Sequence, residues 1–146
     1  MSISYEEELR NTKEDITSLK QRFILKDKYN KDTILSSTYP DLSKSILESI
    51  SYGYNLAINS FRNLFNGILS SKGYKIDKIE DKDKVGILKE SGFEFDQDKW
   101  VQLKNLRNSI IHEPRKKSLQ DWAEDIINTI PDLDESIEVI NRKKKL

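Results

Sequence analysis

The sequence predicts an all-α fold, an up-and-down bundle of about five helices. Two observations carry that expectation. Apolar residues recur mostly every three or four positions, the period of a helix face, and not every two, the period of a strand. These periodic stretches are bracketed by start and stop chemistry: Ser, Thr, Asp or Pro before them, Gly or Pro after. The length, 146 residues, suits a single domain spanning 1–146 and is enough for a real apolar core without staples.

Ser4 followed by Glu7 is a capping-box pattern and opens the first helix, whose buried stripe is Leu9, Ile16, Leu19 and Phe23. Residues 27–37 show no such stripe and read as a connection. Thr38-Tyr39-Pro40-Asp41 is the next start signal, with Pro40 near the first turn, where a missing N–H costs little. Ile46, Ile50, Tyr54, Ala57, Phe61, Leu64, Phe65 and Ile68 then follow at helical spacing up to about Lys72, where Gly73 can stop the helix. This is the expected spine. Gly53 inside it either weakens the helix or marks a close crossing. Of Tyr52 and Tyr54, one packs inside and one faces out.

A polar connection over 73–81 leads to a short helix, 82–90, ending at Gly92. Asp96 caps a fourth helix from about Gln97 to Glu113, and Pro114 ends it by disfavouring helical geometry at the residue before. Asp96 and Asp98 read as capping acids, and Trp100 and Trp122 as core or interface anchors. Ser118 with Asp121 opens the fifth helix. Leu119, Trp122, Ile126, Ile130, Leu133, Ile137 and Ile140 keep helical spacing through Pro131, which predicts either a kink or two abutting helices there.

Composition narrows function. The chain has no cysteine and one histidine, His112, so disulfides, thiolate chemistry and zinc–sulfur sites are excluded and neither a transition-metal site nor a cofactor is expected, while the plentiful carboxylates leave a magnesium ion open. Lys plus Arg and Asp plus Glu both number 25, so binding to nucleic acid must come from local patches. No apolar run approaches the roughly 20 residues of a membrane span. The start, MSISYEEELR, lacks the basic and apolar segments of a signal peptide, so the expected location is the cytoplasm.

One local patch stands out. From Lys99 to Lys117 there are six positives (Lys99, Lys104, Arg107, Arg115, Lys116, Lys117) against Glu113, a net charge of +5. Residues 118–138 hold seven acids and no Lys or Arg. The basic stretch is either a solvated face or a phosphate-binding surface. Within it, Arg107 falls inside the apolar stripe of Trp100, Leu103, Leu106, Ile110 and Ile111. An unpaired guanidinium in a core is costly. Arg107 is therefore expected to snorkel out, to pair with a carboxylate, or to face a second protein surface. His112 lies about 140° round the helix from it. Asn108, one turn before His112, is placed to orient the imidazole, and the carbonyl end of a helix favours the charged ring.

These groups suit RNA cleavage by the ribose 2′-OH. Such cleavage needs a proton acceptor, a proton donor and positive charge on the phosphorane oxygens. One chain supplies one imidazole. A twofold dimer joining two copies of this helix would supply two imidazoles and two guanidiniums to one cleft.

The stretch LRNSIIHE resembles the signature of the HEPN superfamily (higher eukaryotes and prokaryotes nucleotide-binding domains), an Arg, four to six residues and a His, often with Asn directly after the Arg. Arg107, Asn108 and His112 match it with four residues between Arg and His. The helix order is similar as well, with the motif late in the chain at a helix end and a long helix after it. The resemblance implies a metal-independent endoribonuclease acting on single-stranded RNA across a homodimer, a toxin of a toxin–antitoxin pair or a phage-defence protein. It implies that Arg107 stabilises the phosphorane, that His112 is the general acid and base, and that Asn108 supports both. Lys104, Arg115, Lys116 and Lys117 are the expected phosphate-binding residues. One toxin subfamily, whose antitoxin is a small nucleotidyltransferase, has a Tyr two positions after the His; here Pro114 stands there, at odds with control through that Tyr. Other members are non-catalytic modules that bind a nucleotide or a partner protein such as a nucleotidyltransferase, and this is the alternative function. A DNA-associated bundle ranks last, because no recognition-helix signature and no Gly-rich phosphate loop is present.

Overall fold

The structure, a computed structural model, describes residues 5–29 and 40–144. Ser4 and Thr38, the residues expected to open the first two helices, lie outside the described residues, as does most of the connection between those helices. Among the described residues there are six α-helices and no strand, an all-α bundle: α1 (Glu6–Tyr29), α2 (Pro40–Ser71), α3 (Asp81–Glu90), α4 (Gln97–His112), α5 (Leu119–Ile127) and α6 (Ile130–Lys144). Short 3-10 turns at Ile76–Lys78 and Pro114–Lys116 lie in the connections.

α2 is the spine. It packs against α1, α3, α4 and α5, while α6 packs against α1. α1 and α2 run antiparallel: Arg22 reaches Ser49, Asp15 accepts from Ser60, and Tyr5 lies beside Gly67. Gly53 marks a close approach, of the Arg22 side chain rather than of the α1 backbone. A Cβ there would meet the Arg22 guanidinium at 2.7 Å, and that guanidinium also donates to the Ser49 carbonyl (2.7 Å) and lies over the Tyr52 ring. Tyr54 is fully buried and Tyr52 is exposed.

The stop signals act through one device used twice. α2 ends with Gly73 at φ +92° and α3 with Gly92 at φ +99°. In each case two backbone bonds close the end: Tyr74 to Leu69 and Gly73 to Ser70, then Phe93 to Leu88 and Gly92 to Lys89. That pattern needs a left-handed residue at the closing position, which glycine supplies without a Cβ clash. Asp96 caps α4 by accepting from the Lys99 N–H, and Ser118 caps α5 by accepting from the Asp121 N–H. At Pro131 the chain forms two abutting helices. α5 stops at Ile127, and Pro131 falls in the first turn of α6, where it breaks no helical bond.

The core runs along α2 and closes on an aromatic cluster. Trp100 meets Phe61 and Phe65 edge-on, with ring centres 5.0 and 4.8 Å apart, and Phe65 continues to Phe95 and Phe93. Edge-to-face packing places positive ring edges on negative faces and fixes ring orientation as well as burying area. The Tyr54 hydroxyl donates to the Leu103 carbonyl (2.7 Å), which locks α4 onto α2. Burial pushes that hydroxyl well above the ordinary tyrosine range, against the opposing pull of the nearby Arg107 charge.

Candidate functional site

α4 enters the bundle through Trp100 and Leu103, both buried. One turn later the helix rises to the surface. Leu106 to Ile110 are half-buried, and Ile111 and His112 are exposed. Arg107 therefore sits where the interior opens, and its partners differ from those the sequence suggests. Nη1 donates to the Asn59 side-chain oxygen on α2 (2.6 Å) and Nη2 to that of Asn108 (3.2 Å). Nε is buried without a partner, and no carboxylate among the described residues pairs with Arg107. Neutral amide oxygens fix the direction of the guanidinium but do not cancel its charge, so the charge stays available to an incoming anion.

Asn108 spends its side-chain oxygen on Arg107 and makes no hydrogen bond with the imidazole. The expected Asn108–His112 pairing is thus replaced by an Asn108–Arg107 pairing within the same helix. His112 makes no hydrogen bond with the described residues and projects from the end of α4.

Arg107, Asn108 and Lys104 line a pocket of about 340 Å³ between α2, α3 and α4. His112, Arg115, Lys116 and Lys117 lie outside it. A cluster that sequence reading missed completes the wall. Asp81, at the start of α3, takes Arg62 at 2.7 Å, Lys84 at 2.9 Å and Lys104 at 3.8 Å. Burial raises the Asp81 pKa, but the Lys84 hydrogen bond and the charges of Lys84, Arg62 and Lys104 together outweigh it and hold the carboxyl below its ordinary value. Only part of this wall has a sequence signal: Asn55, Asn59, Arg62 and Asn66 recur at i, i+4, i+7 and i+11 on α2 as a polar line, of which Arg62 lines the pocket and Asn59 meets Arg107.

The basic stretch is largely offset in space. Lys99 bonds Asp132 (2.9 Å), Lys117 bonds Asp125 (2.6 Å) and lies over the Trp122 ring, and Lys116 lies 3.5 Å from Glu113. The hydrogen bond that Lys99 donates to the Asp132 carboxylate, and then the charge of that carboxylate, raise the Lys99 pKa. Two members, Arg107 and Arg115, have no carboxylate partner among the described residues. The turn carrying Arg115 and Lys116 is held in place because the Trp122 indole N–H donates to the Pro114 carbonyl (2.9 Å).

Among the described residues, no three His, Cys, Asp or Glu side chains gather where they could hold a metal ion, and no helix is long and apolar enough to cross a membrane. Comparison with protein-family models, with curated proteins and with solved structures finds no match.

Proposed function

We propose that this protein is a metal-independent endoribonuclease of the HEPN type, which cleaves single-stranded RNA at a site shared by two copies of the chain and serves as a toxin or in phage defence in the cytoplasm. The single observation that carries this proposal is the state of Arg107. Its guanidinium is half-buried, aimed by Asn59 and Asn108, and offset by no described carboxylate. Such a cation suits the extra negative charge of a phosphorane. His112, on the same helix and exposed, is open to RNA and to a second chain. In the proposed mechanism one imidazole takes the 2′-hydroxyl proton, the ribose oxygen attacks phosphorus, and an imidazole returns a proton to the leaving 5′-oxygen. The products are a cyclic phosphate and a free 5′-hydroxyl. Arg115 and Lys116, on the turn just past His112, then bind the flanking backbone.

The test is incubation of purified protein with single-stranded RNAs in EDTA. The expected result is cleavage with cyclic-phosphate ends, reduced about 10²-fold or more in His112→Ala, the scale of a lost general acid–base group. Undiminished cleavage by that variant, or none by the wild type across varied RNAs, overturns the proposal.

A second function is favoured by one observation: among the described residues no group orients His112. It is a non-catalytic module whose exposed α4 end docks a partner protein, such as an antitoxin nucleotidyltransferase. Exposed Ile111 beside His112 suits such contact. Partner capture that survives His112→Ala but not Ile111→Asp, without ribonuclease activity, would establish it.

A further inference from the structure

The pocket between α2, α3 and α4 has the makings of a ligand site inside one chain. Its volume, about 340 Å³, lies at the small end of the range of small-molecule sites. Phe65, Val85 and Trp100 give it a buried apolar floor, and Val101 stands half-exposed at its edge. Five cations line it, Arg62, Lys82, Lys84, Lys104 and Arg107, against one carboxylate, Asp81. Lys82 finds Glu80 outside the pocket (3.2 Å). Asp81 alone serves Arg62, Lys84 and Lys104, and Arg107 has only amides.

One carboxylate cannot offset three cations, and like charges at this spacing repel more strongly beside an apolar wall than in water. Lys84 adds to the cost, since its side chain is almost wholly buried. An arriving anion turns that repulsion into attraction. A phosphate fits better than a second carboxylate. It offers three acceptor oxygens and up to two charges, matching an ammonium and two guanidiniums that line one pocket from two helices.

We propose that this pocket binds a small phosphate monoester with an apolar body, the phosphate held by Arg62, Lys104 and Arg107 and the body resting on Val85, Trp100 and Val101. The amides of Gln97 and Asn105 at the rim are placed to bond polar edges of that body. The site needs neither His112 nor a second chain, so it does not depend on ribonuclease activity. Because it uses Arg107, a bound ester would compete with RNA for that cation.

Calorimetry and amide-resolved NMR on the full chain at low salt test this with four probes: inorganic phosphate, adenosine 5′-monophosphate, phenyl phosphate and adenosine. The expected result is saturable binding of at least one ester, tighter than inorganic phosphate, with adenosine inert and with shifts centred on Val85, Val101 and Asn105. Binding of the nucleotide alone identifies a nucleotide ligand, and binding of both esters a less selective aryl or alkyl phosphate site. Lys104→Ala and Arg62→Ala each lower affinity about tenfold, the scale of one charge-assisted contact, and Lys13→Ala on distant α1 does not. No saturable ester binding overturns the proposal. So do shifts centred on Lys116 and Lys117, which mark a merely charged surface. So does a dimer that excludes all four probes and dissociates with Val101→Glu, because a second copy then fills the pocket.

Discussion

The two halves of α4 are built to opposite rules. Between Gln97 and Leu103 the helix is anchored in the core at two positions: Trp100 sits edge-on against Phe61 and Phe65, and Leu103 receives the Tyr54 hydroxyl. From Leu106 to His112 no residue is fully buried: Leu106 and Ile110 lean on the core only in part, and the polar contacts that are made point sideways, through Arg107 to Asn59 and Asn108. One continuous helix thus joins a rigid anchor to an open end. Chemistry placed at the open end inherits the positional precision of the anchor without being enclosed by it.

The sharpest way to break this contrast is to exchange the costs of its two ends. Trp100→Ala removes the ring that joins α2 to α4 and leaves a cavity among Phe61, Phe65 and Phe95. The expected loss is about 3–5 kcal/mol, read as a fall in the urea midpoint with the slope unchanged. His112→Ala, at the exposed end, is expected within about 0.5 kcal/mol of the wild type in the same titration. Equal costs at the two positions would mean that the second half of α4 is packed in solution, against a partner or a second copy.

Asp81 gives a smaller and pH-dependent effect. Its folded pKa lies below the ordinary 3.8, so the stability it contributes is present above that value and lost as pH falls through the depressed one. Asp81→Asn at neutral pH leaves buried Lys84 without its carboxylate, and the expected cost is about 1–3 kcal/mol. The gap between wild type and variant should narrow as melts are carried from pH 5 down toward pH 2.5. A constant gap would show that the carboxylate is not linked to folding.

The contrast between the halves also explains what was legible beforehand. Helix bounds followed local chemistry, since Gly73, Gly92, Asp96 and Ser118 act on their own few neighbours. At Pro131 the sequence allows both a kink and two abutting helices. Spacing alone cannot tell these apart, because Ile130 and Leu133 keep the stripe in both. The site was harder to read because it depends on residues far apart in sequence. Arg107 meets Asn59, which lies 48 positions earlier, and Lys99 meets Asp132, 33 positions later. A basic run counted along the chain therefore overstated the positive surface. The Asn55–Asn59–Arg62–Asn66 line on α2 is a readable pattern, but a polar line on a helix ordinarily faces solvent, and that Asn59 meets Arg107 and Arg62 meets Asp81 follows only from the packing of α4 and α3.

The subtlest expectation concerns Asn59, where one atom separates two roles. If the guanidinium is held for an anion, a neutral acceptor is required, and Asn59→Asp should be harmful to binding while helpful to folding. The new carboxylate would stand 2.6 Å from Nη1 in a half-buried setting and pair with it, raising stability by up to about 1 kcal/mol. The same pairing would remove the charge that attracts phosphate esters or RNA, lowering affinity about tenfold or more at low salt. Asn59→Ala, by contrast, loses about 1 kcal/mol with its hydrogen bond and frees the guanidinium to swing, so binding falls less than in the Asp variant. Thermal melts and calorimetry on the two variants separate the cases. An Asp variant that is stabilised yet binds less shows that Arg107 is kept uncompensated for a ligand. One that is stabilised and binds as before reduces Arg107 to a strut between α2 and α4.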